Sequence, residues 1–298
     1  MDRILEMTTF VAVAEAQSFS AAAKKLGLSP PTVTRTVSAL EERIGARLLT
    51  RTTRSVRLTE PGLRFLDDAR RILHEISEAE QVAAGSRVIA RGALRMTAPV
   101  LFGEMFVLPV MREFLSAHPQ VVAQLMLLDR VINIVEEGID IALRIGRFDD
   151  SGLQSIELGS VRRMVVASPA YLVAHGTPQS PADLHSHRIV MSVGSNASHD
   201  WRFGDGVATS SVRVAPALSV STLRAAIDSA RAGWAITRVL SYQVQEALRD
   251  GQLQGVLEAF EPAPLPVCLV FPPSRRPSAK LMAFIDLASE RLTAALAP

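Results

Sequence analysis

Near the amino end, a short run of side chains has the types and spacing needed to read nucleic acid. In PPTVTRTVSALEERI a helical period sets Thr32, Thr34, Arg35 and Ser38 on a face away from Val33, Val37, Leu40 and Ile44. Small hydroxyls permit close approach to base edges, and a guanidinium can donate two bonds to guanine O6 and N7. Ser29 is a suitable helix cap, followed by Pro30 and Pro31. Proline suits the first turn because the amide it lacks would be unpaired there. Further on, TRTTRSVRLT alternates Arg and Thr with β-branched neighbours. That pattern predicts a short hairpin presenting Arg51 and Arg54 to phosphates or a minor groove.

These groups need a scaffold. Residues 3–16 read as one helix, Ser20 is expected to cap a second over 21–26, and Gly27-Leu28-Ser29 forms the turn before the third. Residues 1–59 are thereby expected to form a winged helix-turn-helix. This segment carries 9 basic and 5 acidic side chains, a net charge of +4, whereas residues 60–298 carry 23 and 25. A basic head on a near-neutral body suits one module that meets a polyanion and another with a different task.

Other chemistry is thinly represented. The lone Cys268 excludes a disulfide framework within the chain and a multi-cysteine zinc site, and it reads as a buried strand residue. His185-Ser186-His187 supplies two imidazoles without a third ligand, so no metal is expected. No nucleophile elbow, dinucleotide fingerprint or P-loop lysine occurs, and no catalytic residues or cofactor are expected. The start, MDRILEMTTF, carries Asp2 and Glu6 and no apolar core of signal-peptide length. With no apolar run of about 18 residues, the expected location is the cytoplasm, without membrane attachment.

Between head and body, Thr59-Glu60-Pro61-Gly62 starts a helix with no breaker before about residue 84. Leu66, Ala69, Leu73, Ile76, Glu80 and Ala83 recur at alternating steps of three and four. That is a coiled-coil seam, so residues 60–87 are expected to form a dimerising linker, with Leu66, Leu73 and Ile76 at its centre.

Residues 88–298 read as an α/β body. Strands are expected at 93–98, 121–128 and 139–145, with helices at 103–117 and 131–137 between them. This order predicts a parallel sheet covered on both faces. Further strands are expected at 161–167, 189–193, 212–216, 217–220, 235–237 and 265–271, and helices at 169–175, 222–232 and 279–296. Two α/β lobes are expected, 92–161 with 272–298 and 162–271, hinged near 161–167 and 267–272. Open sheets bind ligands beyond the carboxyl ends of their strands. This singles out Thr97, Pro99, Val100 and Phe102, then Arg144, then Ser219, Ser221 and Thr222. Helix-start amides and Arg144 would favour a carbonyl or anionic end, and Val100-Leu101-Phe102 an apolar remainder.

FVAVAEAQSFSAAAKKLGLSPPTVTRTVSALEERIGARLLTRTTRSVRLTEPG resembles, without a gap, the winged helix-turn-helix of LysR-type transcriptional regulators. Many members carry Gln where this chain has Pro30, which shifts the expected base reading toward Thr34 and Arg35. The resemblance implies a dimerising helix at 60–87 and assembly as a homodimer and then a dimer of dimers. It also implies a body like that of periplasmic binding proteins with a small organic effector in its cleft. The implied partners are double-stranded operator DNA and, for an activator, RNA polymerase. The competing reading is an enzyme or solute-binding protein with an accessory amino-terminal domain. It would require a catalytic set or an export signal, and neither is legible.

Overall fold

Asp2 opens the first helix, α1 (Arg3–Ala16), by accepting the Ile4 amide on its carboxylate at 2.9 Å. Gln17, in the left-handed region at φ 49°, ends it. The second helix, α2 (Phe19–Leu26), is capped by Ser18, not Ser20: the Ser18 hydroxyl accepts the Ala21 amide at 3.3 Å. The earlier start places Phe19 in the first turn, against the core. After Gly27 at φ 65°, Ser29 caps α3 (Pro30–Ile44) as expected. The computed structural model describes residues 2–51, 56–83, 90–146, 152–193, 198–204, 210–273 and 277–297. The chain divides into two units, Met1–Ile89 with Val135–Gly138, and Ala90–Ile134 with Ile139–Pro298.

In the first unit Phe10, Val13, Ala22, Val33, Val37, Leu40, Leu48 and Leu49 form one core. Glu6, buried on α1, takes a hydrogen bond from Arg43 Nε at 2.9 Å and so ties α1 to α3. Glu41 Oε1 accepts the Leu48 and Leu49 amides at 2.8 and 3.0 Å, fixing where the wing leaves α3. The wing pairs β1 (Leu49–Arg51) antiparallel to β2 (Val56–Leu58). Thr59 Oγ1 then accepts the Gly62 amide at 3.0 Å and starts α4 (Glu60–Ala83). A side chain at Gly62 would collide with the Leu48 carbonyl, so only glycine lets the helix start this close to the wing. Burial opposes ionisation of Glu15. Hydrogen bonds from Lys25 and Arg70, each at 3.1 Å, outweigh it and hold the carboxyl below its usual range.

The second unit begins with β3 (Gly92–Ala98) and α5 (Val100–Phe102), continued by a π-helical turn at Gly103–Val107 into α6 (Leu108–Ala117). Then come β4 (Val121–Leu127), β5 (Ile141–Ile145), β6 (Gln154–Val161) and β7 (Arg163–Ala167). They are followed by α7 (Pro169–His175), β8 (Val190–Ser192), β9 (Asp200–Phe203), β10 (Ser210–Arg213) and β11 (Leu218–Val220). The chain closes with α8 (Leu223–Arg231), β12 (Thr237–Leu240), α9 (Gln245–Arg249), β13 (Gln254–Val256), β14 (Leu265–Phe271) and α10 (Ala279–Leu296).

The main sheet is mixed, not wholly parallel. Its order is β4-β3-β5-β14-β6: β3 runs parallel to both neighbours, whereas β14 runs antiparallel to β5 and β6. β14 therefore belongs to the first lobe, although 162–271 was the expected extent of the second. The strand returns from the second lobe and enters the sheet against the direction of β5. The crossovers between lobes accordingly fall at Arg162 and at residues 261–264, not at 267–272. Arg162 accepts the Ser241 amide at 2.8 Å on its carbonyl, and its guanidinium lies 3.4 Å from Glu261, so the crossovers are tied together. The expected helix at 131–137 is extended chain and turn. Ile132 and Ile134 instead bury with Ala142, Cys268 and Val270 on one sheet face.

The second lobe centres on the sheet β12-β7-β13, with β8 parallel to β11 and β9 antiparallel to β10. The regions around β6, β9, α9 and β13 contain elements the sequence pattern did not separate.

Candidate functional site

On α3, Pro31, Arg35 and Ser38 fall at steps of four and three and are exposed, whereas Val33, Val37 and Leu40 are fully buried. Thr32 and Thr34 flank this stripe half-buried. The Ser29 and Thr32 hydroxyls are 2.8 Å apart, and Ser29 also accepts the Thr32 amide, so both are engaged in the helix start. The stripe therefore presents one long cation beside small groups, the composition a major groove admits. The Arg51 backbone lies in β1; its side chain, and all of Arg54, lie outside the described residues. Arg47 and Arg57 are exposed at the base of the wing and extend the cationic surface. Neither was singled out from the sequence, although the Arg alternation in RTTRSVR was the available signal for Arg57.

The linker seam divides in two. Leu66 is 7% exposed and packs with Ala69 in the core of this same head, beside Phe65, whose ring lies 5.4 Å from that of Phe10. Leu66 is thus not open to a partner. Steps of three and four suit both a coiled coil and an ordinary amphipathic contact, and α1 supplies the latter. Leu73 and Ile76, farther along, are only half-buried.

In the second unit, residues that follow β3 meet residues that follow β11 and β12 across the lobe boundary: Glu104 meets Arg224, and Phe102 meets Tyr242. The Thr97 hydroxyl at the end of β3 is fully buried and lacks a hydrogen-bond partner. Pro99 and Val100 are partly exposed, but the Val100 amide already donates to Asp129 Oδ1 at 3.0 Å. Arg144 is 8% exposed and donates to the Ile132 carbonyl at 3.0 Å, so it anchors the loop after β4 and is not an open positive charge. On the facing lobe Ser219, Ser221 and Thr222 are exposed, and Thr222 caps α8 through the Ala225 amide at 3.4 Å.

The contact between the lobes is aromatic. Phe102 is fully buried, 4.8 Å from Phe106 and 5.1 Å from Tyr242 between ring centroids. Tyr242 follows β12, so this triad joins the lobes. Burial pushes its phenol above the usual range, and Gln243 donates to its oxygen at 3.0 Å. Glu104 and Arg224 close a 2.9 Å ion pair over the same boundary. None of Asp129, Glu104, Arg224, Phe106 and Tyr242 stood out in the sequence, because each depends on a partner brought in by the fold. The two histidines at 185 and 187 do not converge: His185 faces the Ala182 carbonyl at 2.9 Å, and His187 the Tyr171 hydroxyl at 3.3 Å.

Residues 4–63 match the model of bacterial regulatory helix-turn-helix proteins of the lysR family, and residues 89–293 match the LysR substrate binding domain. The chain belongs to the LysR family of transcriptional regulators. The regulator is 34% identical over 289 residues to the uncharacterised HTH-type transcriptional regulator YhjC of Escherichia coli K12, covering 96% of each chain. Its fold is similar to that of the LysR-type regulator CrgA from Neisseria meningitidis. That comparison covers 97% of this chain and 98% of the other, with 31% identity and a TM-score of 0.61. It is also similar to AphB, a virulence activator of Vibrio cholerae, covering 96% and 98% with 26% identity and a TM-score of 0.62. The regulator is a DNA-binding protein with a carboxyl-terminal domain of the effector-binding type. Among its described residues no helix is long and apolar enough to cross a membrane.

Proposed function

We propose that the regulator acts as a homodimer, paired again into a tetramer, and reads operator DNA through Thr34 and Arg35. Ser29, Pro31, Thr32 and Ser38 bring the helix close to the groove, and Arg51 and Arg54 hold phosphates. A small organic effector occupies the cleft against Thr97, Pro99, Val100, Phe102, Ser221 and Thr222. Because Asp129 already takes the Val100 amide, the polar end of that effector is better read as a neutral carbonyl or hydroxyl group meeting Thr97. The work is done in the cytoplasm, without catalysis, and an activating complex would meet RNA polymerase. Effector and DNA must then alter each other's affinity by the same factor.

The observation that carries this reading is the exposed stripe Pro31, Arg35 and Ser38 opposite a fully buried apolar face. Footprinting of the DNA upstream of the regulator's own gene tests it. Arg35→Ala should cost about 1–3 kcal/mol and relax preference at one base pair per half-site. Arg57→Ala should weaken all sequences alike and lower the salt slope by about one. An Arg35→Ala protein that still protects the same bases at moderate salt refutes the assignment. Any metabolite that shifts the footprint should lose its effect in Thr222→Trp, which fills the cleft edge while leaving the head untouched.

A further inference from the structure

Among the described residues, two arginines of the second lobe have no carboxylate partner. Arg163 opens β7, and Arg238 lies on β12; the strand register sets Arg163 against Leu240 and Arg238 against Val165. Both therefore share a sheet face with Val165, whose core also holds Trp201. The Arg238 guanidinium carbon sits 4.7 Å over the Trp201 ring, and Trp201 is 1% exposed. Nη1 of Arg238 is buried with no hydrogen-bond partner. Among the described residues neither arginine meets a carboxylate, although Arg43, Arg70, Arg224 and Arg291 all do. Burial, and then the neighbouring charge of Arg163, push Arg238 down to about 9, and burial alone lowers Arg163.

Both arginines are half-buried, and like charges held even partly out of water without a counter-charge are costly for a fold to hold. The Trp201 face offsets part of that cost for one cation only. We propose that Arg163 and Arg238 together hold the oxyanion group, carboxylate or phosphate, of a small molecule. Two planar forks of donors match such a group better than any neutral one. The site goes beyond the cleft reading, since Thr97, Val100, Ser221 and Thr222 take no part in it. It lies one residue from the crossover: Arg163 follows Arg162, and Leu240, its partner in the register, precedes Ser241, which is hydrogen-bonded to Arg162. An anion here removes repulsion beside the crossover between the lobes.

Thermal melts of the full chain in inorganic phosphate and in acetate, against chloride at equal ionic strength, test the site. The midpoint should rise by about 3–6 °C at ten times Kd in at least one oxyanion, and which one responds names the group. Arg238→Met and Arg163→Met should each abolish that rise. Arg238→Met should also melt higher than the parent in chloride, because its stem still covers Trp201 while the unpaired charge is gone. Phosphate held only by the basic head would give a rise that persists in both variants, and that result overturns the proposal, as does no rise in either oxyanion. Should Arg238→Met fail to fold, Trp234→Phe leaves Trp201 as the sole tryptophan. Its emission should then change saturably with the responding oxyanion, and an unchanged spectrum overturns the site.

Discussion

Replacing Leu73 and Ile76 together by Asp should reduce the assembled regulator to monomers with folded heads. Both residues lie on the outer part of α4, beyond Leu66 and Ala69, which pack in the head. A lone helix leaving a head leaves its remaining apolar stripe half-covered, and a second copy related by a two-fold axis is the simplest cover. The substitution would place four carboxylates in that seam, each facing apolar surface, at several kcal/mol apiece if they stay ionised. Such a penalty exceeds what a short helical interface returns. Light scattering should therefore report half the parent mass or less, with an unchanged helical signal by circular dichroism. Operator affinity should fall steeply, because two half-sites would no longer be engaged by one particle. A well-folded double variant of parental mass would remove α4 from the interface.

Phe102→Ala should be the most damaging single change in the regulatory unit. The ring is fully buried and contacts Phe106 and Tyr242, so its loss opens a cavity where the lobes meet. Truncating a buried phenylalanine costs about 3–5 kcal/mol, which in a domain of this size lowers the melting midpoint by about 6–20 °C. Calorimetry should show that fall in the transition of the regulatory unit, with the transition of the head unchanged, because Phe102 is absent from the head's core. Phe102→Leu should recover most of the loss. A midpoint within about 2 °C of the parent would mean that the triad adds little cohesion and that the lobes are held chiefly by their two crossovers.

What could be read from the sequence was local. The Ser29 cap, the Gly27 turn, the buried face of α3 at Val33, Val37 and Leu40 (though not Ile44, which is exposed) and the start of α4 at Thr59 each depend on residues within one or two turns of chain. β14 and α10 were equally legible in extent, since both are long and strongly patterned. Their partners were not. Nothing in LPVCLVF says that it enters between β5 and β6, residues more than a hundred positions earlier. Leu66 was misread for the same reason: its spacing suits a seam, but its side chain is buried in the core of its own head with Phe10. On the second lobe, the Thr222 cap was legible from its place before a helix. Asp129 at the Val100 amide, and Arg144 on the Ile132 carbonyl, depend on a loop whose path the sequence did not show.

The late insertion of β14 has a bearing on synthesis. A ribosome adding about 5–20 residues per second delivers Leu265 roughly ten to forty seconds after the wing has emerged. During that interval the head already has every residue of its own core except the first turns of α4, which follow within seconds. The five-stranded sheet, by contrast, lacks the strand that separates β5 from β6 and presents two unpaired edges. Nascent chains, and any message cut short before codon 265, would thus carry an operator-reading head on a body with no finished receptor. Such products would compete for DNA while deaf to the signal, so this gene should tolerate complete loss, or a stop codon within the head, better than a stop codon between the end of α4 and codon 265.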